Sequence, residues 1–480
     1  MTRRGQLIRA DSAERLVVVL ALTGSAATAS VLAVLGASAS GTIGGRYVVL
    51  GVAALGVAAL TAYRPIAATY IYLALLPFLA GIERGALLPL VRPNEALLVL
   101  LLAGALVGGY VRFLRGESIP FGRDRLDASL VAFLVLATLW PITSMLLRGV
   151  QPVGADLAAL LPICKQMAVL LLVRATVVSD IQMRRCLQLV VLPAAAVALI
   201  AVLQTLRFGP VLDLLETYWN AKTTSFDENV RGSTTLAHPI ATGDYIIIGL
   251  ILLVVGRLKG MFRSRYWLIP GALLTVGVFA AGQFSSWLAA GIAGAVLLWR
   301  FPEARRKAAL LVPLAPYAAV LGAPAVLGRL ADFQSGELPV SWRVRWDNVT
   351  HFYLPELTGH SILLGVSPNS VIEAPETWRQ TIYLEAGYVQ FLWIGGVPLL
   401  LAFLWLSREI LRQAGQSRDL PGPYGVCCAG LEVIWWIVLV LTVLDPHLFL
   451  RGVGDLLFIL IAISTRRAHE REHYSQVVPG

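Results

Sequence analysis

The chain has 480 residues, of which 57% are hydrophobic and only 14% charged, and its mean hydropathy is +0.73. Soluble domains carry roughly 25% charged residues, so the composition excludes a soluble protein and implies an all-α bundle of membrane-spanning helices. The net charge of +10 would suit a nucleic-acid partner, but the basic residues recur on every second loop, a membrane-orientation pattern and no nucleic-acid patch.

In chain order, apolar windows of about 17–25 residues, each able to cross about 30 Å as a helix, predict about fourteen spans, twelve if the tight pairs merge. They are 16–37, 46–62, 66–82, 95–114, 128–147, 157–178, 187–206, 239–256, 267–282, 284–299, 308–327, 388–406, 424–444 and 446–463. Met1–Arg15 is charged and lacks a small-residue cleavage site, which reads as no removable signal peptide. The resulting organisation is N-terminal membrane helices (1–206), an outer loop (207–238), central membrane helices (239–327), a large, partly helical extracytoplasmic loop (328–387), and C-terminal membrane helices with a cytoplasmic tail (388–480).

Basic clusters such as Arg112, Arg115, Arg123 and Arg125, or Arg257, Lys259, Arg263 and Arg265, or Arg408, Arg412 and Arg418, mark the cytoplasmic loops and place both termini inside. The span interiors read as nearly free of charge. Cys164, Cys186, Cys427 and Cys428 show neither metal-ligand spacing nor a disulfide framework and read as small packing residues.

Polar chemistry is therefore expected in the two long outer loops. The first carries Arg231-Gly-Ser-Thr-Thr and His238-Pro239, with Asp244 early in the following span; proline favours the first helical turn, which puts His238 at the mouth of that span. The second carries Ser341-Trp-Arg343-Val-Arg345-Trp-Asp347-Asn348 and His351, where a helix would stack Arg343, Asp347 and His351 on one face. It continues through Gly365, Glu376 and Arg379 to Tyr383-Leu-Glu385-Ala-Gly387. Each has a plainer reading: Arg379 as a headgroup anchor, His238 as a helix cap, the 343–351 face as solvated surface. Arginines gathered on a side otherwise poor in basic residues ask for an anionic partner, and paired guanidiniums suit phosphate oxygens.

These segments resemble the O-antigen ligase/polymerase family of bacterial membrane glycosyltransferases. The resemblance covers about residues 200–410: the Arg231-Gly-Ser/Thr stretch with His238-Pro239 leading into a span, the Arg343-x-x-Trp346 spacing ahead of Gly365, and Tyr383-Leu-Glu385-x-Gly387 opening the span after the large loop. Two positions depart from the family pattern. The turn Gln283-Phe-Ser285-Ser286 lacks the family's arginine, and Glu376 stands where ligases have a histidine, which favours a polymerase over a ligase. The resemblance implies glycosyl transfer from an undecaprenyl-pyrophosphate-linked oligosaccharide to an acceptor glycan at the outer face of the inner membrane, without a metal or other cofactor. It implies Arg231, Arg343 and Arg345 on the pyrophosphate, with Glu376, His351 or Glu385 as base. His238, Asp347, Glu385 and Arg379 would line the substrates, Gly232, Gly365 and Gly387 would serve the backbone, and chain-length regulator and flippase proteins would be partners. The rival class is a lipid-linked oligosaccharide flippase, which would be expected to show repeats and mid-membrane charges.

Overall fold

The computed structural model describes residues 43–84, 91–114, 124–219, 231–311, 340–374 and 381–465, plus three single positions between 311 and 340. The predicted span 16–37 and most of 308–327 lie outside these residues; every other predicted window except 446–463 coincides with a helix. The helices are α1 (Ile43–Tyr63), α2 (Ile66–Leu79), α3 (Pro93–Leu114), α4 (Arg125–Leu147), α5 (Gly154–Thr176), α6 (Asp180–Thr205) and α7 (Gly209–Trp219). They continue with α8 (Pro239–Leu258), α9 (Leu268–Ala280), α10 (Phe284–Arg300), α11 (Pro302–Leu311), α12 (Val340–Asn348) and α13 (Ser361–Leu364). The C-terminal part has α14 (Gly387–Ser417), α15 (Gly422–Leu441) and α16 (Val453–Ser464). Among the described residues, seven are long and apolar enough to cross a membrane, and the protein is mostly helical.

Local chemistry sets several boundaries. Ser179 accepts the Gln182 N–H while the Gln182 side chain takes the Ser179 N–H, a reciprocal cap that starts α6. Asp124 caps α4 by accepting from the Asp127 N–H. Pro77, Pro141, Pro162 and Pro193 lie inside helices, which neighbouring helices make tolerable in a bundle. The long α14 is broken at Gly396, where φ is +66°. The carbonyl of Leu363 lies 2.1 Å from where a Cβ would stand, so α13 is packed into the break and only glycine fits.

Helices α8, α15 and α16 are almost wholly buried and form the centre, with α2 to α6, α9, α10 and α14 around them. Since α16 has 12 residues, about 18 Å of helix, it is too short to cross the bundle alone. The turn before it, 442–452, dips inward: the Leu448 carbonyl accepts from Gln166 Nε2 at 2.7 Å, midway along α5. The window expected at 446–463 is therefore a re-entrant turn followed by a short helix. The expectation of charge-free interiors is also corrected. Lys165 lies 2.9 Å from Asp455, which also accepts from Tyr72 Oη at 3.0 Å, and buried Glu409 and Glu432 are each held by arginines. Partnering within the bundle makes such charges affordable there.

Residues 340–374 and 381–386 fold against one end of the bundle. The α-helix α12 gives way to a π-helical turn, Val349–Tyr353. Two short antiparallel strands, β1 (Val371–Glu373) and β2 (Thr381–Tyr383), follow and pair in the register Ile372–Ile382. Tyr353, Ile382, Leu384 and Trp393 make a small separate core that seats this segment on the first turns of α14.

Candidate functional site

Residues 231–239 form a polar plug at the end of the bundle that carries α12 and the β1–β2 pair. Gln204 at the end of α6 donates to Ser233 Oγ and accepts from the Thr234 N–H, and Thr242 in α8 donates to the Ser233 carbonyl. Thr235 Oγ1 donates to the Pro77 carbonyl at the end of α2. A Cβ on Gly81 would sit 2.1 Å from the Thr235 carbonyl, so the plug and the turn after α2 are in intimate contact. Thr234 and Ala237 have φ near +50°, a conformation costly for residues with a Cβ and held here by the surrounding bonds. The outcome is that His238 stands directly before α8, half-buried, with no hydrogen-bond partner on Nδ1.

A chain of charged groups lies near His238. Arg345 of α12 donates through Nε to Glu385 (2.5 Å) and pairs through Nη2 with Asp445 (3.1 Å). The Asp445 side chain is 4% exposed, and its Oδ2 has no hydrogen-bond partner. Burial pushes this carboxyl up to about 7, against the pull of Arg345 and His447. Two residues on, His447 Nδ1 meets Asp244 Oδ2 at 2.5 Å, while Nε2 has no partner. Burial alone would lower this imidazole, but the Asp244 carboxylate outweighs it and raises the pKa. His447 and Asp244 also cap a narrow cavity of about 20 Å³ walled by Ile247, Ile251, Ile434 and Val453, room for about one water.

Arg451, before α16, also neighbours His238, and near it stand Arg84 after α2 and Arg92 before α3, which share one connection. Arg84 donates to Glu95 at 3.0 Å, and the Arg92 N–H to the same carboxylate at 3.1 Å. Arg451 reaches the Gly81 carbonyl at 3.4 Å. Burial, together with the neighbouring Arg451 and Arg84, lowers Arg92 to about 10; burial and Arg84 also lower Arg451. Burial and like-charged neighbours disfavour the charged forms of Arg92 and Arg451, so an anion placed beside them would stabilise both. His238 senses both groups, since burial and Arg451 lower it to about 4 while Glu385 and Asp244 oppose them.

Of the residues singled out from the sequence, Arg345, Glu385 and His238 come together here. Arg231 begins the plug, half-buried, beside Gly232, whose N–H bonds the Ala280 carbonyl. Arg343, Asp347 and His351 lie on the exposed face of α12 and its π-turn, with His351 Nδ1 against the Asp347 carbonyl at 2.9 Å. They share that outer face, and it is Arg345, on the opposite side, that faces the bundle. Glu376 and Arg379 lie outside the described residues. Gly365 (φ +81°) and Gly387 serve close backbone approaches, Gly365 to Ile394 and Gly387 to Thr442.

Sequence reasoning missed Arg84, Arg92, Asp445, His447 and Arg451, and its premise that this side is poor in basic residues is corrected by them. A signal existed. Asp445, His447, Arg451 and Asp455 interrupt the last apolar stretch of the chain within eleven positions, and Arg84 and Arg92 share one short connection. No protein-family model, curated protein or solved structure matches the chain.

Proposed function

We propose that the protein is a glycosyltransferase of the bacterial cytoplasmic membrane that moves a glycan from an undecaprenyl-pyrophosphate carrier to a lipid-linked acceptor glycan at the outer face. The observation that carries this reading is the arginine trio Arg84, Arg92 and Arg451 beside His238 and the Arg345–Glu385–Asp445 chain, recessed at one end of a membrane bundle. Lipid pyrophosphate is a leaving group whose developing charge fixed guanidiniums stabilise directly. The alternation of basic loops supports a reading with this end outside and both termini inside. A polymerase is favoured over a ligase by Glu376; chain-length regulator and flippase proteins would be its partners.

The test uses protein reconstituted in nanodiscs, undecaprenyl pyrophosphate as binding probe, and lipid-linked glycan extracted from cells lacking the protein as substrate. Saturable probe binding weakened by Arg451→Gln, together with glycan lengthening, is the expected result; neither binding nor lengthening would remove the reading. A flippase is favoured by one observation, the Lys165–Asp455 pair inside the bundle. It predicts movement of the glycan lipid across the bilayer with no change in glycan length.

A further inference from the structure

This inference rests on the transfer reading above and names its base. The acceptor hydroxyl must lose a proton as it attacks the anomeric carbon, and the carboxylates and histidines near the arginine trio differ in what they have free. Glu385 is 34% exposed, with Oε2 already taken by Arg345. His351 is exposed, its Nδ1 against the Asp347 carbonyl. His238 Nδ1 is unpartnered, but burial first and then Arg451 disfavour protonation of its imidazole. Asp445 is different: one oxygen is fixed by Arg345 and the other, buried, has no partner. A buried carboxylate oxygen without a hydrogen bond is costly unless something completes it.

We infer that Asp445 is the general base of the transfer, accepting the acceptor hydroxyl's proton on Oδ2 while Arg345 fixes Oδ1. The acceptor oxygen forms the new bond to the anomeric carbon. The bond from that carbon to the pyrophosphate oxygen breaks, and its electron pair leaves with the lipid pyrophosphate beside Arg84, Arg92 and Arg451. The hydroxyl proton passes to Asp445 and neutralises it. The groups facing Asp445 fit this course: Arg345 from α12, Glu385 just before α14, His447 within its own turn, and Asp244 from α8 behind His447. Its ordinary affinity for protons is raised toward neutrality by burial, where a base works best. His447 and Asp244 act as positioning residues, anchoring the turn that carries Asp445: the His447 N–H donates to the Asp445 carbonyl at 2.9 Å.

The experiment compares wild type, Asp445→Asn and Asp445→Ala in nanodiscs, with undecaprenyl pyrophosphate as probe and the extracted lipid-linked glycan as substrate. Asp445→Asn should bind the probe within about twofold of wild type while turnover falls about 10²–10⁴-fold, the usual contribution of a positioned base. Added formate should restore part of the turnover of Asp445→Ala, which a purely structural role would not allow. Turnover of Asp445→Asn within tenfold of wild type overturns the inference and leaves the transfer reading intact. Loss of turnover and probe binding together, without formate rescue, assigns Asp445 a structural role and also overturns it. A wild-type protein that neither binds the probe nor lengthens glycan removes the transfer reading itself, and the base with it.

Discussion

Removing one arginine of the trio should make the empty protein more stable and the loaded protein weaker. Arg92 is lowered from 12.5 to about 10, first by burial and then by Arg451 and Arg84. At about 1.4 kcal/mol per unit, holding that guanidinium charged in the empty pocket costs about 3 kcal/mol. Repulsion from Arg451 ranks second after burial, and between partly exposed charges such a term is worth about 0–1 kcal/mol. Arg451 is itself lowered, because burial outweighs the attraction of Glu83, and its 3.4 Å contact with the Gly81 carbonyl is long for a hydrogen bond. Arg451→Gln should therefore raise the melting temperature of the empty protein by about 2–4 °C. The same change removes a charge-assisted contact to pyrophosphate worth about 1.5–3 kcal/mol, so probe affinity should drop about 10- to 100-fold. Thermal unfolding in detergent, with and without undecaprenyl pyrophosphate, reads both quantities. A variant that is less stable when empty and is stabilised by the probe as much as wild type would refute the reasoning, because Arg451 would then be a structural residue.

Arg345→Ala should lower turnover by about 10²–10³-fold and Arg343→Ala by less than about tenfold, since only Arg345 turns inward; equal losses in a glycan-lengthening assay would contradict that division. Asp445, raised to about 7 by burial, stabilises the fold fully below about pH 4 and loses this contribution as pH rises through about 7, while His238, lowered to about 4 by burial and Arg451, contributes fully above about pH 6.5 and loses it as pH falls through about 4. The two offset each other in between, so Asp445→Asn should expose a stability rise of up to about 1.4 kcal/mol per pH unit between about pH 4 and 6; an Asn profile parallel to wild type would count against it. Gly396→Ala should destabilise by about 2 kcal/mol or more, because a Cβ at φ +66° would meet the Leu363 carbonyl; an unchanged melting temperature would mean that α13 does not pack into the break. Single cysteines at Ser361 and at Asp419 should label from opposite sides of the membrane with an impermeant reagent, and labelling from the same side would overturn the orientation.

The helices were legible because their signal is local: twenty apolar residues have few alternatives in a bilayer. His238 and Glu385 were legible because each adjoins a span boundary that proline or glycine marks. Arg343 and Arg345 could not be separated in that way. They are two positions apart on one short helix, and which of them faces the bundle depends on how Tyr353 and Trp393 seat the segment, with ring centroids 4.9 Å apart. That is a tertiary fact.

The re-entrant turn was hidden for a different reason. Residues 446–463 have the composition of a span, and composition carries no information about depth. Depth follows from pairs remote in sequence, such as Gln166 with Leu448 and Asp244 with His447. Once the turn is inside the bundle, Asp445 and His447 must find partners there, because a bare charge in that setting is expensive. Asp244 and Arg345 supply them, and Arg345 can do so only with α12 laid across this end of the bundle. The contact that makes Asp445 tolerable thus also fixes the position of the loop helix, so any ligand that competes with Asp445 for Arg345 would loosen α12. The site and its covering segment are held by the same guanidinium.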